Sequence, residues 1–464
     1  MVSEDFKRRL LGSWGAVILG IGMASPAFGQ DSVRPDADPR ISGIVAAVSQ
    51  TRIEQLVQRL ASFRTRHTLS DTTSAESGIG AARQWIHDEL KQSSTRLEVS
   101  FDKYHVAQQG RITRDVEIRN VVAVLPGRSP RRIYLTAHYD TVSIPGGQNS
   151  SGTRPAGQTV VDPQLKADQD YNVDAPGAND NGSGTALTME LARVLAESGF
   201  QFDATLVFAL WAGEEQGLIG SRAHVQRIAI EKTVIDAVFN NDIVGNSRGG
   251  NGVIDAETVR VYSNGPEDSA SRALARYVER VAALYVPSHR IRLMAREDRF
   301  SRGSDHSSFN ALGFAAVVFR EANENFDKQH APTDTVDGVD PAYLTQNARV
   351  NAAAMASLAL APPAPRVTNE RGQPTIGRQP SGYDANLRWT AVPGAAAYRV
   401  YWRDAWVPDW QHAQLVGNVT EFVLPHLSID DFVFGVAAVG GDGQESTVSA
   451  YVAPPRRDTE VKLK

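Results

Sequence analysis

The sequence predicts an α/β protein, a mostly parallel mixed sheet flanked by helices, with a small all-β sandwich domain after it. Three observations carry this. Apolar runs of strand length alternate with stretches of helical length between 97 and 360, the pattern of strands buried on both faces beneath helices. The segment Ala361-Pro362-Pro363-Ala364-Pro365 then stops the alternation and reads as a stiff linker. Beyond it only short β runs separated by turn signals remain.

Taken in order, residues 36–94 have a helical period: Ile41, Ile44, Val45 and Val48, then Ile53, Leu56, Val57 and Leu60, then Ala82, Trp85, Ile86 and Leu90. These helices are expected to form a lid or outer layer. Strands follow over 97–106, 116–125 and 133–137. The alternation then runs helix 184–198, strand 205–211, helix 220–229, strands 234–240 and 259–262, helix 266–284, strands 290–295 and 315–319, and helix 341–360. Residues 143–174 are rich in Gly, Gln, Asn and Asp and read as a surface insertion near the mouth of a site. After the linker, residues 366–455 carry β runs at 387–389, 398–402, 420–424 and 432–439. A Trp-bearing strand, a Tyr-rich strand and a late aromatic strand in that order resemble a fibronectin type III module. Trp402, Trp406 and Trp410 crowd around Pro408, so at least one is expected to pack on the preceding domain or on a surface polymer. This module is expected to be dispensable for chemistry, and 456–464 reads as a tail.

Composition narrows the function. The 464 residues hold 42% apolar and 22% charged side chains, as an ordinary globular chain of two or three domains does. Acidic residues outnumber basic ones 53 to 48, so no basic surplus favours nucleic acid. There is no cysteine, which excludes disulfides, thiolate catalysis and sulfur-held metals; any metal must be held by His, Asp and Glu. At the N-terminus, Lys7, Arg8 and Arg9 precede an apolar run from Leu10 to Met23 and the small residues Ala27 and Gly29. Residues 1–29 thus read as a signal peptide, which implies a secreted or periplasmic protein with no membrane attachment after cleavage.

Five segments carry acids and imidazoles at strand ends or in the following loops, where open α/β sheets place their ligands. His138-Tyr139-Asp140 ends an apolar strand and offers an imidazole with a carboxylate able to hold its second nitrogen. Asp180 lies in a turn-rich stretch before a helix, where a capping role is the ordinary reading. Glu214 and Glu215 end the apolar strand over 205–211; adjacent carboxylates there raise each other's pKa and call for a cation. Asp242 follows the strand over 234–240, and His330 sits in a loop stiffened by Pro332. Each alone has a bland structural reading; together they place His, Asp, Glu, Asp and His on one rim of one sheet. Two His, two terminal carboxylates and one bridging carboxylate supply two divalent ions with open positions. Oxygen-plus-imidazole ligation suits zinc, with Co2+ or Mn2+ as substitutes, and two ions together serve hydrolysis of amides or phosphoesters. One Glu of the pair can ligate while the other acts as general base.

His138-Tyr139-Asp140, the segment 177–184 around Asp180, the segment 211–221 around Glu214-Glu215, Asn241-Asp242 and the segment 329–334 from Gln329 to Asp334 resemble metallopeptidase family twenty-eight, the di-zinc aminopeptidases and glutamate carboxypeptidases. The resemblance covers roughly residues 40–360 and implies a zinc exopeptidase-like fold acting on peptides. It implies two zinc ions held by His138, Asp180, Glu215, Asp242 and His330 with Asp180 bridging, Glu214 as general base, Asp140 as the partner of His138, and a cis peptide after Asp180. The segment 304–309 around His306 matches one that lines the family's pocket, and His306 is given no metal role. An aminopeptidase is the leading expectation. A carboxypeptidase and a glutaminyl cyclase of the same family are the alternatives; Asp242 with His138 completes a second metal set and favours the hydrolase. Arg296, Arg299 and Arg302 precede the pocket segment and offer a hold for a carboxyl terminus. A secreted binding protein with a structural metal is the non-enzymatic alternative, disfavoured because a closed structural site needs no spare base.

Overall fold

The structure, a computed structural model, describes residues 37–144 and 171–452. The signal-peptide segment, most of the 143–174 insertion and the 456–464 tail lie outside the described residues. Helices α1 (Pro39–Ala46), α2 (Gln50–Ser62) and α3 (Gly78–Ser93) precede strands β1 (Glu98–Val106), β2 (Val116–Leu125) and β3 (Arg132–His138). There follow α4 (Gly182–Glu197), β4 (Thr205–Trp211), α5 (Ile219–Ile230), β5 (Ile235–Asn241), β6 (Thr258–Ser263), α6 (Ala270–Tyr285), β7 (Arg290–Met294), α7 (His306–Asn310), β8 (Ala316–Glu321) and α8 (Pro341–Leu360). The eight strands form one sheet in the order β1-β2-β4-β3-β5-β8-β6-β7. Its centre, β4-β3-β5-β8, is parallel; β1 and β2 join antiparallel on one side, and β6 runs antiparallel to β8 on the other.

Burial explains the centre. Strands β3 and β4 are buried along all but their first residue, which their unbroken apolar sequences permit because both faces are covered. One face packs on α1, α2, α4, α6 and α8, whose apolar stripes share a single core with the sheet, including Ile41, Leu56, Leu60, Leu187, Leu191, Leu344 and Met355. The opposite face carries a smaller cluster around Tyr134, Trp211, Val225, Ile228 and Phe309 beneath α5 and α7. The N-terminal helices are thus an outer layer; none of their residues lines the cavity described below. The helix expected over 266–284 begins at Ala270, because Ser269 accepts the Arg272 N–H and caps it there.

Beyond the linker are two small antiparallel sheets. One has the order β13-β10-β9, with β9 (Ile376–Gly377), β10 (Ala385–Arg388) and β13 (Glu421–Leu424); the other is β12-β11-β14-β15, with β11 (Ala395–Asp404), β12 (His412–Gly417), β14 (Phe432–Gly440) and β15 (Ser449–Ala450). Ala385, Leu387 and Leu424 from the first meet Tyr398, Val400, Phe434 and Val436 from the second in one core. The module does not hang free of the larger domain. Arg403 is buried against Asp268 at 2.7 Å and lies over the Trp410 ring, Arg280 lies over Tyr401, Arg40 pairs with Asp442 at 2.5 Å, and Gln444 donates to Asp38 at 2.9 Å. Trp406 is exposed.

Candidate metal centre

The parallel strands end in line. His138, the last residue of β3, pairs with Trp211, the last of β4, and β5 ends at Asn241, one residue before Asp242. Glu214 and Glu215 follow Trp211 in a turn whose Gly213 has φ +76°, a left-handed conformation that glycine adopts without a Cβ clash. Asp180 lies just before α4. The helix cap is Asn181, whose side chain accepts the Gly184 N–H, so Asp180 is left free for the site. Two further contacts set it: Asp334 Oδ1 and Oδ2 accept the N–H groups of Asn179 and Asp180 at 3.0 and 2.8 Å. The Asp180–Asn181 peptide is cis.

These elements bring all five expected ligands and Glu214 to one cavity of about 260 Å3. Two sets of donor atoms share Asp180: His138, Asp180 and Asp242 in one, Asp180, Glu215 and His330 in the other. His138 Nε2 lies 3.5 Å from Asp180 Oδ1 and 3.5 Å from Asp242 Oδ1. His330 Nε2 lies 3.1 Å from Asp180 Oδ2 and 3.1 Å from Glu215 Oε2. The two oxygens of Asp180 therefore face two different imidazoles, the arrangement a bridging carboxylate needs.

Electrostatics point the same way. Burial opposes ionisation of Asp180, yet His138 and His330 hold its carboxyl below the ordinary range. Burial would lower the His330 pKa, but Glu215 and Asp180 outweigh it and raise it to about 10. Asp242 is held well below its usual value against burial by Arg320 and His138; Arg320 lies 3.1 Å from its Oδ2. Glu214 is pushed well above the usual range by burial, with Glu215 and Asp242 adding and His138 opposing. Glu215 Oε1 and Asp242 Oδ1 are buried without a hydrogen-bond partner. Buried acceptors of this kind are costly unless a cation or donor meets them, and with three carboxylates around two imidazoles the donor set fits divalent zinc.

Asp140 differs from expectation in detail. The His138 Nδ1 lies 3.1 Å from the backbone oxygen of Asp140 and 3.6 Å from its carboxylate. The carboxylate itself accepts the N–H groups of Glu214 and Glu215, each at 3.2 Å, and the Thr68 hydroxyl. His306 stays apart from both donor sets; its Nε2 faces the Glu297 carbonyl at 2.9 Å. Sequence reasoning missed Arg320, the buried partner of Asp242, and Asp305, a buried carboxylate raised to about 7 chiefly by burial. It also missed that Leu218, Ile243, Ser301 and His330 around the cavity all have positive φ, between 54° and 62°.

Residues 120–355 match the family profile described as Peptidase family M28. The chain belongs to peptidase family M28. A probable zinc metalloprotease of Leptosphaeria maculans is 36% identical over 452 residues, covering 89% of this chain and 97% of that protein. One of Pyricularia oryzae is 36% identical over 453 residues, covering 89% and 84%. With this family membership and the donor set above, the M28 chain is a zinc metallopeptidase. Among solved structures, the Legionella pneumophila LapA aminopeptidase superposes with a TM-score of 0.52 at 21% identity, over 69% of this chain and 75% of its own. The Porphyromonas gingivalis glutaminyl cyclase does so with 0.51 at 17%, over 66% and 98%. The two likenesses show one fold under two chemistries, so the fold does not choose between them.

Proposed function

We propose that this M28 metallopeptidase is an exported aminopeptidase that works with two zinc ions, removing N-terminal residues from peptides. The observation that carries the reading is the position of Asp180 between His138 and His330. One buried carboxylate shared by two His-carboxylate sets describes two neighbouring cation sites, the first completed by Asp242 and the second by Glu215. Zinc bound there supplies Lewis-acid polarisation of the scissile carbonyl and lowers the pKa of attacking water.

The chain's own residues do the rest. Glu214 lines the cavity and, although its carboxylate also lies within donor reach of His138 and Glu215, it is not needed to complete either of the two sets that share Asp180; we therefore assign it to take the proton from water and return it to the leaving amine. Burial holds its carboxyl well above the usual range, the direction that makes a carboxylate a stronger proton acceptor. Asp140 fixes the backbone that carries Glu214 and Glu215, and Asp334 fixes the backbone that carries Asp180. A glutaminyl cyclase reading draws on the shared fold, but Asp242 and His138 complete a second set that a single-metal transferase does not require.

Export is read from residues 1–29. The C-terminal module is read as fibronectin type III-like on the strength of its two sheets around one core, with exposed Trp406 offering a contact for a surface polymer. The test is hydrolysis of aminoacyl-p-nitroanilides with metal analysis. Activity that falls with zinc removal by a chelator and returns with zinc supports the reading, and a fully zinc-loaded protein that cleaves no peptide substrate overturns it.

A further inference from the structure

A second cavity, of about 380 Å3, opens on the sheet face that carries α5. No described residue lines both this cavity and the metal centre. Its floor is apolar, built by Val122 and Val124 of β2 and Val207 of β4, while β1, β3 and α5 supply polar walls. Tyr134 in one of these walls stands roughly 13 Å of strand before His138, so the cavity is remote from the rim that gathers the metal donors. Its volume falls within the ~300–1,000 Å3 usual for small-ligand pockets.

The polar residues form a chain that ends on one guanidinium. Asp102 accepts from His224 Nδ1 at 2.7 Å and from the Tyr104 hydroxyl at 2.9 Å, and it pairs with Arg227 at 3.4 Å. Its charge is thereby spent on internal donors. Burial lowers the His224 pKa, with Asp102 opposing, so the ring is neutral. With its Nδ1 proton given to Asp102, its Nε2 is left to accept from the Tyr134 hydroxyl at 3.3 Å. The Tyr134 oxygen in turn accepts from Arg132, which fixes that guanidinium in the cavity wall. Arg227 has a second carboxylate, Glu231, at 3.0 Å. Arg132, by contrast, forms no ion pair among the described residues, whereas its neighbour Arg131 holds both Asp203 and Asp236. A half-buried guanidinium beside an apolar floor, with no carboxylate of its own, favours an anion that brings apolar surface with it.

We propose that this cavity binds an aliphatic carboxylate, with Arg132 receiving the carboxylate and the aliphatic body covering Val122, Val124 and Val207. Guanidinium holds such a group in two-pronged fashion, and the valines gain by losing water. The site needs no zinc and stands independently of the peptidase reading. The same chemistry occurs in a free alkanoic acid and in the C-terminus of a peptide that ends in an aliphatic residue.

Calorimetry on the zinc-loaded full chain with octanoate, octanol, acetate and N-acetylleucine tests this. A hydrogen bond to a charged group corresponds to a factor of roughly 10–100 in binding, so octanoate should bind more tightly than octanol by about that factor. Each buried methylene adds about fourfold, so octanoate should exceed acetate as well. Tighter binding of octanoate than of N-acetylleucine identifies a free acid as the occupant; the reverse order identifies a peptide C-terminus. Arg132→Gln should weaken octanoate by the same factor of roughly 10–100, while kcat/KM on an aminoacyl-p-nitroanilide stays at the parent value. Arg132→Lys should restore part of the affinity. Octanoate that binds no better than octanol overturns the proposal, whether or not the variants fold. So does octanoate binding that Arg132→Gln leaves unchanged, or that inhibits turnover competitively, since the carboxylate then sits on zinc.

Discussion

Asp140 holds Glu214 through the backbone: its Oδ1 accepts the Glu214 N–H at 3.2 Å, while its Oδ2 accepts the N–H of Glu215 at the same distance. One carboxylate thereby orients the proposed base and a proposed ligand, beside the ring of His138. Asp140→Asn keeps the shape but turns one acceptor into a donor facing an N–H. We expect a loss of about 10–100-fold in zinc affinity or activity, read by titration against a competing chelator. A variant that binds zinc and turns over like the parent removes Asp140 from the site.

Glu214→Gln should lower kcat by about 10²–10⁴-fold while the metal content stays unchanged, because the substitution removes a proton acceptor and no donor of the sets sharing Asp180. Mass spectrometry under native conditions with parallel kinetics checks this. Lost metal in the variant would reassign Glu214 as a ligand.

Asp242→Ala should remove one of the two proposed ions and most of the peptidase activity, since His138 and Asp180 then lack their third partner. The same change leaves Arg320 without its contact at 3.1 Å, so the variant is also expected to melt earlier. Elemental analysis decides: a metal content equal to the parent's would refute the two-ion count.

The raised pKa of His330 gives a pH dependence of known sign. In the metal-free protein it lies at about 10 against 6.5 in the ordinary side chain, so protonation favours the fold. That contribution is complete below pH 6.5 and is lost as pH climbs toward 10. Zinc must displace the same proton, so apparent zinc affinity should rise over the same interval. Calorimetry in two buffers of different ionisation enthalpy should register proton release on zinc binding at pH 7.5; no release would show that His330 is already neutral.

A chain ending near Pro362 should retain zinc and its kcat/KM on a dipeptide-sized substrate, because no described residue after 361 lines the cavity. It should be less stable, since Asp268 loses Arg403 and the Arg280 side chain loses Tyr401. A ΔTm of up to roughly 2–4 °C per kcal/mol lost is the expected scale. Loss of turnover in a folded, zinc-loaded truncation would place the module in the substrate site.

Much of the fold was legible because its strands are buried on both faces. The expected bounds of β2, β4 and α8 coincide with the observed ones; long apolar runs leave few alternatives. Helix α7 was missed since five residues, His306–Asn310, are too few to show a period. Strand β12 was missed since it is an exposed edge with no apolar alternation to betray it. The candidate ligands were legible because strand ends in parallel sheets face one rim, and each carried a chemically distinctive residue. Arg320 and Glu324 were not, because their partners are 78 and 25 residues away, for Asp242 and Arg299, and only folding brings them together.

Four residues around the cavity, Leu218, Ile243, Ser301 and His330, sit on left-handed backbone. For a β-branched side chain such as Ile243 this conformation is rare and costs of order 1–3 kcal/mol, borne by the surrounding packing. An engineer redesigning this enzyme meets an asymmetric landscape as a result. Glycine or asparagine at 243 relaxes the main chain but empties the wall, whereas valine or threonine keeps the wall and keeps the strain. Libraries aimed at new selectivity are therefore best concentrated at Arg302, which lines the same cavity and is not among the residues on left-handed backbone.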